Sequence, residues 1–161
     1  MYTLKKSLGQ HFLKDETVCK RIIAVLEETP PANLLEVGPG GGALTKYLLE
    51  IPDMDFKAVE LDHEKVVYLT ERYPVLAHKI IEASILEIRP PFPGQFTMIG
   101  NFPYNISTQI MFLVLDWREQ VERVIGMFQK EVAVRIASGP GNKDYGILSV
   151  MLQAYFKVEY L

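Results

Sequence analysis

The chain has 161 residues, with 17 Lys and Arg against 20 Asp and Glu, a formal charge of −3 and 48% hydrophobic content. These values predict one compact globular domain over residues 1–161 and exclude a disordered tail or a collagen-like fibre. Cys19 is the sole cysteine, so no internal disulfide or cysteine-built zinc site can form, and a cytoplasmic, metal-free protein is expected.

The start Met-Tyr-Thr-Leu-Lys-Lys has no apolar signal region, and the stretch Met111 to Leu115 is far too short to span a bilayer, so no membrane association is expected. Charge is uneven along the chain. Residues 1–24 carry five basic and two acidic side chains, residues 25–116 six and thirteen, and residues 117–161 six and five. The acidic middle is a poor partner for a phosphate backbone, so a nucleic-acid ligand has to meet the basic N-terminus, a patch near the C-terminus, or a further domain.

In chain order, Asp15 reads as an N-cap for a helix to about Glu28, with Val18, Ile22, Val25 and Leu26 on one face, and Pro30-Pro31 ends it. Asn33 to Val37 reads as a strand, Gly38 to Gly42 as a turn, Ala43 to Glu50 as a helix and Phe56 to Glu60 as a second strand. A helix over His63 to Arg72 follows, then strands over Lys79 to Ala83 and Phe96 to Gly100, separated by the turn Arg89-Pro90-Pro91-Phe92-Pro93-Gly94. A helix over Ile106 to Trp117, a strand over Val121 to Phe128, a helix over Gln129 to Ser138 and a last helix from about Tyr145 complete the series. Strands separated by helices of this length predict an α/β fold with a mostly parallel, doubly wound sheet covered on both faces. Lys157 to Leu161 begins a further strand and stops. That would leave an exposed sheet edge, and the chain is therefore expected to be a fragment lacking its last strand.

The first strand runs into Glu36-Val37-Gly38-Pro39-Gly40-Gly41-Gly42-Ala43. Gly38 and Gly40 permit a sharp turn and let a ligand approach the backbone. Glu60 ends the second strand 22 residues after Gly38, near the spacing at which an acid reaches a ribose diol. A cofactor bearing a nucleoside is the reading. Residues 38–43 also fit G-x-G-x-x-A, which keeps NAD open, whereas Glu36 and the inserted Pro39 look more like the E-x-G-x-G start of S-adenosylmethionine methyltransferases. The plain alternative is a glycine-rich βα turn without a ligand.

The fourth strand ends in Gly100-Asn101-Phe102-Pro103-Tyr104-Asn105. An adenine amino nitrogen is a weak nucleophile because its lone pair is delocalised into the ring, and localising it takes acceptors aimed at both amino hydrogens. The Asn101 side-chain oxygen and a neighbouring carbonyl can supply both, Pro103 fixes the backbone between them, and the Tyr104 ring offers a stacking face. An ordinary turn is the bland alternative, disfavoured by the glycine turn and Glu60 upstream in the expected order.

Together these residues carry a resemblance. From Lys6-Ser7-Leu8-Gly9-Gln10-His11-Phe12-Leu13 through Glu36-Val37-Gly38-Pro39-Gly40, Glu60-Leu61-Asp62 and Gly100-Asn101-Phe102-Pro103-Tyr104-Asn105-Ile106-Ser107 to Gln129-Lys130-Glu131-Val132 and Tyr145-Gly146-Ile147-Leu148-Ser149-Val150, the chain resembles the ribosomal RNA adenine dimethyltransferases of the KsgA type. The resemblance implies a Rossmann-like class I methyltransferase. Its reaction would be dimethylation, from S-adenosylmethionine, of the amino nitrogens of two adjacent adenosines near the 3′ end of small-subunit ribosomal RNA. The partner would be an immature small ribosomal subunit, the role subunit biogenesis, and the chain a monomer without a metal. Carried over by position, Gln10, His11, Leu13, Gly38, Gly40, Glu60, Leu61, Ser84 and Asn101 would contact the donor, and Asn101, Phe102, Pro103 and Tyr104 would hold the target base. Lys130 and Arg135 would either face RNA phosphates or form a solvated helix face.

Three departures stand out. His11 replaces an Asn common among relatives, and both donate hydrogen bonds. Ser84 replaces an Asp that binds the donor's adenine amino group, which predicts weaker donor affinity. Relatives continue with a final strand, an aromatic and proline-rich segment and a basic helical RNA-docking domain, so residues 1–161 are expected to keep the donor site and half of the base pocket, with little activity alone. Two further readings remain. One is the large-subunit adenine methylase that confers antibiotic resistance, although Gly100 and Gln129-Lys130-Glu131 look more like the small-subunit enzyme. The other is a non-catalytic assembly factor.

Overall fold

A computed structural model describes residues 15–161. Helix α1 (Glu16–Glu28) starts at Asp15, whose carboxylate accepts from the Thr17 amide at 2.8 Å, and it buries Cys19, Ile22, Ile23 and Leu26 along one stripe. Strands β1 (Asn33–Val37), β2 (Asp55–Glu60), β3 (Ile80–Glu82), β4 (Phe96–Asn101) and β5 (Val121–Met127) form one sheet in the order β3-β2-β1-β4-β5, and every pairing is parallel. Helices α2 (Thr45–Leu48), α3 (His63–Arg72), α4 (Ser107–Asp116), α5 (Lys130–Ala137) and α6 (Ile147–Tyr155) supply the covering layers.

Alternation along the strands divides the core in two. Leu34, Ala58 and Ile99 face a cluster holding Ile22, Leu26, Leu44, Leu48 and Leu69, from the α1, α2 and α3 side. Leu35, Val59 and Met98 face the opposite cluster, with Ile110, Val114, Ile136, Leu148 and Leu152 from α4, α5 and α6. A strand buried on both faces is apolar at nearly every position, as Leu34 to Val37 and Phe96 to Ile99 are, with the exceptions Glu36 and Thr97. Among the described residues, no helix is long and apolar enough to cross a membrane.

The parallel α/β sheet covered on both faces that the sequence predicts is the one observed, with local differences. The expected helix over residues 43–50 contracts to α2. Positive φ values at Gly38, Gly40 and Gly42 hold the chain in turns up to Leu44, and beyond Leu48 the bonds from Glu50 N to Tyr47 O and Ile51 N to Leu48 O tighten it to a 3-10 winding. Short 3-10 turns at Pro74–Leu76 and Ile85–Glu87 lie where the sequence predicted no element. Helix α6 begins two residues later than predicted, because Gly146 is extended and donates its N–H to the Ser149 hydroxyl at 3.2 Å. The strand predicted from Lys157 is absent. Phe156 is extended and packs with Val158 on the core, but residues 157–161 pair with no other strand among those described.

Candidate functional site

The strand order reverses at β1, which lies between β2 and β4, and open α/β sheets bind ligands beyond the carboxyl ends of the strands at such a point. The registers determine what collects there. Val37 is level with Val59, Glu36 with Ile99, Glu60 with Glu82 and Asn101 with Met127. Continuing each register by one or two residues brings Gly38, Glu60 and Asn101 to one level across three strands. These residues, distant in sequence, line a single open cavity of about 180 Å³.

The glycine turn forms one wall. The Gly38 amide still bonds to Val59 O at 2.9 Å, after which Gly38 and Gly40 take φ values of 64° and 57°, a left-handed conformation that strains residues with a Cβ. A Cβ on Gly38 would meet the Pro103 ring at 3.8 Å, so the turn after β1 and the turn after β4 are in contact. Glu60 forms the second wall. One of its carboxylate oxygens accepts from the Gly40 amide at 3.1 Å and the other from the Asp62 amide at 3.0 Å. Only 5% of the residue is exposed, and two backbone donors fix its orientation while lone pairs remain for a ligand.

Behind the turn lies Glu36, 2% exposed, whose carboxyl accepts from the Thr45 hydroxyl at 2.7 Å. Burial pushes this carboxyl up to about 8. The Thr45 bond opposes the rise, and the nearby Glu60 adds to it. Lys65 on α3 is 3% exposed and also lines the cavity. Desolvation lowers its pKa, against the pull of Glu60 and Asp62.

Of the residues predicted for the donor, Gly38, Gly40, Glu60, Leu61, Ser84 and Asn101 all line this cavity. Leu61 is 59% exposed and forms an apolar rim. Ser84 caps the 3-10 turn over residues 85–87, its hydroxyl accepting from Leu86 N at 3.2 Å. Gln10, His11 and Leu13, with the block from Lys6, lie outside the described residues. Of the predicted base-holding set, Asn101 and Pro103 line the cavity. Tyr104 is half-buried in the same turn, its carbonyl accepting from the Ser107 hydroxyl at 3.3 Å, and it does not line the cavity. Phe102 points away into the core, 1% exposed and stacked on Phe128 with ring centres 4.9 Å apart. Lys130 and Arg135 are exposed on α5.

Sequence reasoning did not find Lys65 or Asn105 in the cavity lining. For Lys65 the signal is the spacing of 62, 65 and 69, which sets the lysine on the same inward face as Leu69. Among the described residues, no group of three or more His, Cys, Asp or Glu side chains is arranged to hold a metal ion.

Comparison with known proteins agrees with this geometry. Residues 1–161 match the family described as ribosomal RNA adenine dimethylase. The chain is 53% identical over 159 residues to the ribosomal RNA small subunit methyltransferase A of Parabacteroides distasonis, covering 98% of this chain and 59% of that protein. It is 51% identical over 160 residues to the protein of the same name from Flavobacterium johnsoniae, covering 98% and 61%. The chain thus spans about three fifths of the length of these curated relatives. Among solved structures it is similar to a dimethyladenosine transferase from Plasmodium falciparum, with a TM-score of 0.76 at 25% identity over 89% of this chain and 52% of that one. The 23S rRNA methyltransferase ErmE aligns with a TM-score of 0.73 at 27% identity, over 89% of this chain and 57% of that one. With the glycine turn, the carboxylate at the end of β2 and the Asn-Phe-Pro-Tyr turn gathered at the carboxyl ends of the central strands, and with a family match over its whole length, the chain belongs to the ribosomal RNA adenine dimethylase family.

Proposed function

We propose that this chain carries the donor site and part of the base site of an enzyme that dimethylates the amino nitrogens of two adjacent adenosines in small-subunit ribosomal RNA, within an immature subunit, with S-adenosylmethionine as donor. The observation that carries the reading is the convergence of Gly38, Gly40, Glu60 and Asn101 on one cavity at the strand-order reversal. The residues present fit the donor. The Gly38–Gly40 turn leaves a side-chain-free approach to the backbone, the Glu60 carboxylate is oriented by two amides for a ribose diol, and Leu61 and Ile85 offer apolar surface for a purine. Ser84 takes the place of a charged acceptor for the adenine amino group, with its hydroxyl already accepting from Leu86 N.

When bound, S-adenosylmethionine supplies an electrophilic methyl group on a sulfonium sulfur. The work of the chain is to present the nucleophile. The Asn101 side-chain oxygen accepts one hydrogen of the target amino group and a carbonyl of the turn accepts the other, which draws the nitrogen lone pair out of conjugation. Pro103 fixes the backbone between these acceptors. The Tyr104 ring stacks on the base, a contact worth roughly 1–3 kcal/mol. As the new N–C bond forms, the S–C bond to the transferred methyl would break to leave a neutral thioether, and the amino proton leaves to solvent.

Tritiated methyl transfer to immature small subunits tests this, with Asn101→Ala as the diagnostic variant. Slow incorporation by the wild-type chain, as expected of residues 1–161 alone, and its near loss in the folded variant are expected. Equal rates in both would overturn the assignment of Asn101. A calorimetric titration separates the cofactors, with saturable heat expected for S-adenosylmethionine and none for NAD.

A further inference from the structure

Two glycines face each other at the end of the sheet. Gly100 on β4 and Gly126 on β5 are in register, and neither position has room for a side chain. A Cβ on Gly100 would lie 2.5 Å from Val37 O. A Cβ on Gly126 would lie 2.0 Å from Cε2 and 2.6 Å from Cδ2 of Phe102, and 2.9 Å from Gly100 O. The Phe102 ring therefore occupies the space that a side chain at residue 126 would take. The same ring stacks on Phe128, with centres 4.9 Å apart and 27° between the planes, and the Phe102 amide donates to Met127 O at 3.1 Å.

The ring is thus held by the last two residues of β5 and the residue after them: a missing side chain at 126, a carbonyl at 127 and a stacked ring at 128. Its two chain neighbours, Asn101 and Pro103, both line the cavity, and Pro103 abuts the glycine turn. We infer that Gly126 and Phe128 are positioning residues that clamp Phe102 and through it set Asn101, Pro103 and Tyr104 at the height the base requires. This rests on the reading of residues 101–104 as the base site. It gives Phe102 a function without contact to the substrate and extends the site to a strand that the glycine and Asn-Phe-Pro-Tyr motifs do not include.

Gly126→Ala forces the ring back by about 1.5 Å to reach an ordinary carbon–carbon separation. With Phe128 stacked on it and only 1% of Phe102 exposed, the ring has little free space to move into without shifting the turn. Displacements near 1 Å at a reacting group cost about 100-fold in rate. The experiment compares Gly126→Ala, Phe102→Leu and the double variant by methyl transfer, by donor calorimetry and by the amide NMR signals of Asn101 and Tyr104.

Gly126→Ala is expected to lower kcat by about 100-fold with a much smaller loss of donor affinity, since Asn101 is only one of several groups lining the donor cavity, and to move the Asn101 and Tyr104 signals. Adding Phe102→Leu, which removes the Cε2 atom at 2.0 Å and replaces the rigid ring with a side chain whose Cδ can rotate away from the 2.6 Å contact, is expected to recover part of the rate and return the signals part of the way towards wild type. Unmoved signals and an unchanged kcat in Gly126→Ala would overturn the clamp, and so would a double variant no better than the single one. If Gly126→Ala does not fold, Phe128→Leu removes the stacked ring without adding a clash, and the same loss of kcat with retained donor affinity is expected from it. Should the wild-type chain transfer too little methyl group to measure, as expected of residues 1–161 alone, the NMR comparison decides by itself whether β5 sets the turn.

Discussion

The Glu60 carboxylate and the Gly40 amide are joined by a hydrogen bond of 3.1 Å, which ties the end of β2 to the turn that follows β1. The second Glu60 oxygen accepts from the Asp62 amide, so the acid also fixes the start of α3. One side chain thereby determines the spacing between two walls of the cavity.

Glu60→Gln keeps the size of the side chain but turns an NH2 group towards one of those two amides, whichever way it is flipped. Together with the loss of a charged acceptor for the ribose, this is expected to weaken donor binding by on the order of 2 kcal/mol, or more than tenfold. Isothermal titration with S-adenosylmethionine measures it. Unchanged affinity in a folded variant would put the donor elsewhere.

Tyr104 is expected to serve the acceptor and not the donor. Tyr104→Ala should slow methylation by the loss of roughly 1–3 kcal/mol of stacking, and Tyr104→Phe should retain most of the rate because the ring remains. Parallel titrations of both variants with S-adenosylmethionine should match wild type. A loss of donor affinity equal to the loss of rate would move Tyr104 into the donor site.

Glu36 makes stability depend on pH with a defined sign. Its folded pKa, raised to about 8 by burial, exceeds the usual carboxyl value, so the folded state holds a proton that the unfolded chain releases. Its contribution is fully present below about pH 4.5, declines as pH rises from there to about 8, and is flat above. Glu36→Gln, a neutral isostere that still accepts from Thr45, is expected to remove this decline, so that its advantage in Tm grows from pH 5 to pH 8. Parallel melting curves across that range would show that Glu36 ionises normally.

Lys65 places a positive group in the cavity proposed for a cationic donor. Lys65→Met keeps the length of the side chain and removes the charge, and is expected to raise the affinity for S-adenosylmethionine relative to the product that lacks the sulfonium charge, because it removes a like-charge repulsion in a poorly solvated site. Competitive titration of donor and product gives the ratio. A ratio equal to wild type would mean that the lysine head is screened from the sulfonium.

The parts of this molecule that local chemistry dictates were legible in the chain. Asp15 capped its helix as its side chain requires, Glu60 fell at the end of a strand, and the alternation of strands and helices determined a parallel sheet. Boundaries set by competition were harder to read. Residues 43–50 have helical character, but three glycines with positive φ delay the first regular turn to Thr45. The clamp on Phe102 left no local trace, because Gly126 owes its identity to a ring 24 residues earlier in the chain. Lys65 was obscured for another reason: a lysine within Asp62-His63-Glu64-Lys65 reads as solvated, and only the position of α3 against the cavity buries it.

The central position of β1 carries a consequence for the lifetime of the protein. Because Gly38 reaches Glu60 through one flank of β1 and Asn101 through the other, the cavity exists only when both flanks have zipped. A metabolite captured there binds the native chain and not the unfolded one, and at a hundred times its dissociation constant it adds about 2.7 kcal/mol to the unfolding free energy. The supply of methyl donor would then govern turnover as well as catalysis, since a starved chain opens more often and meets proteases sooner.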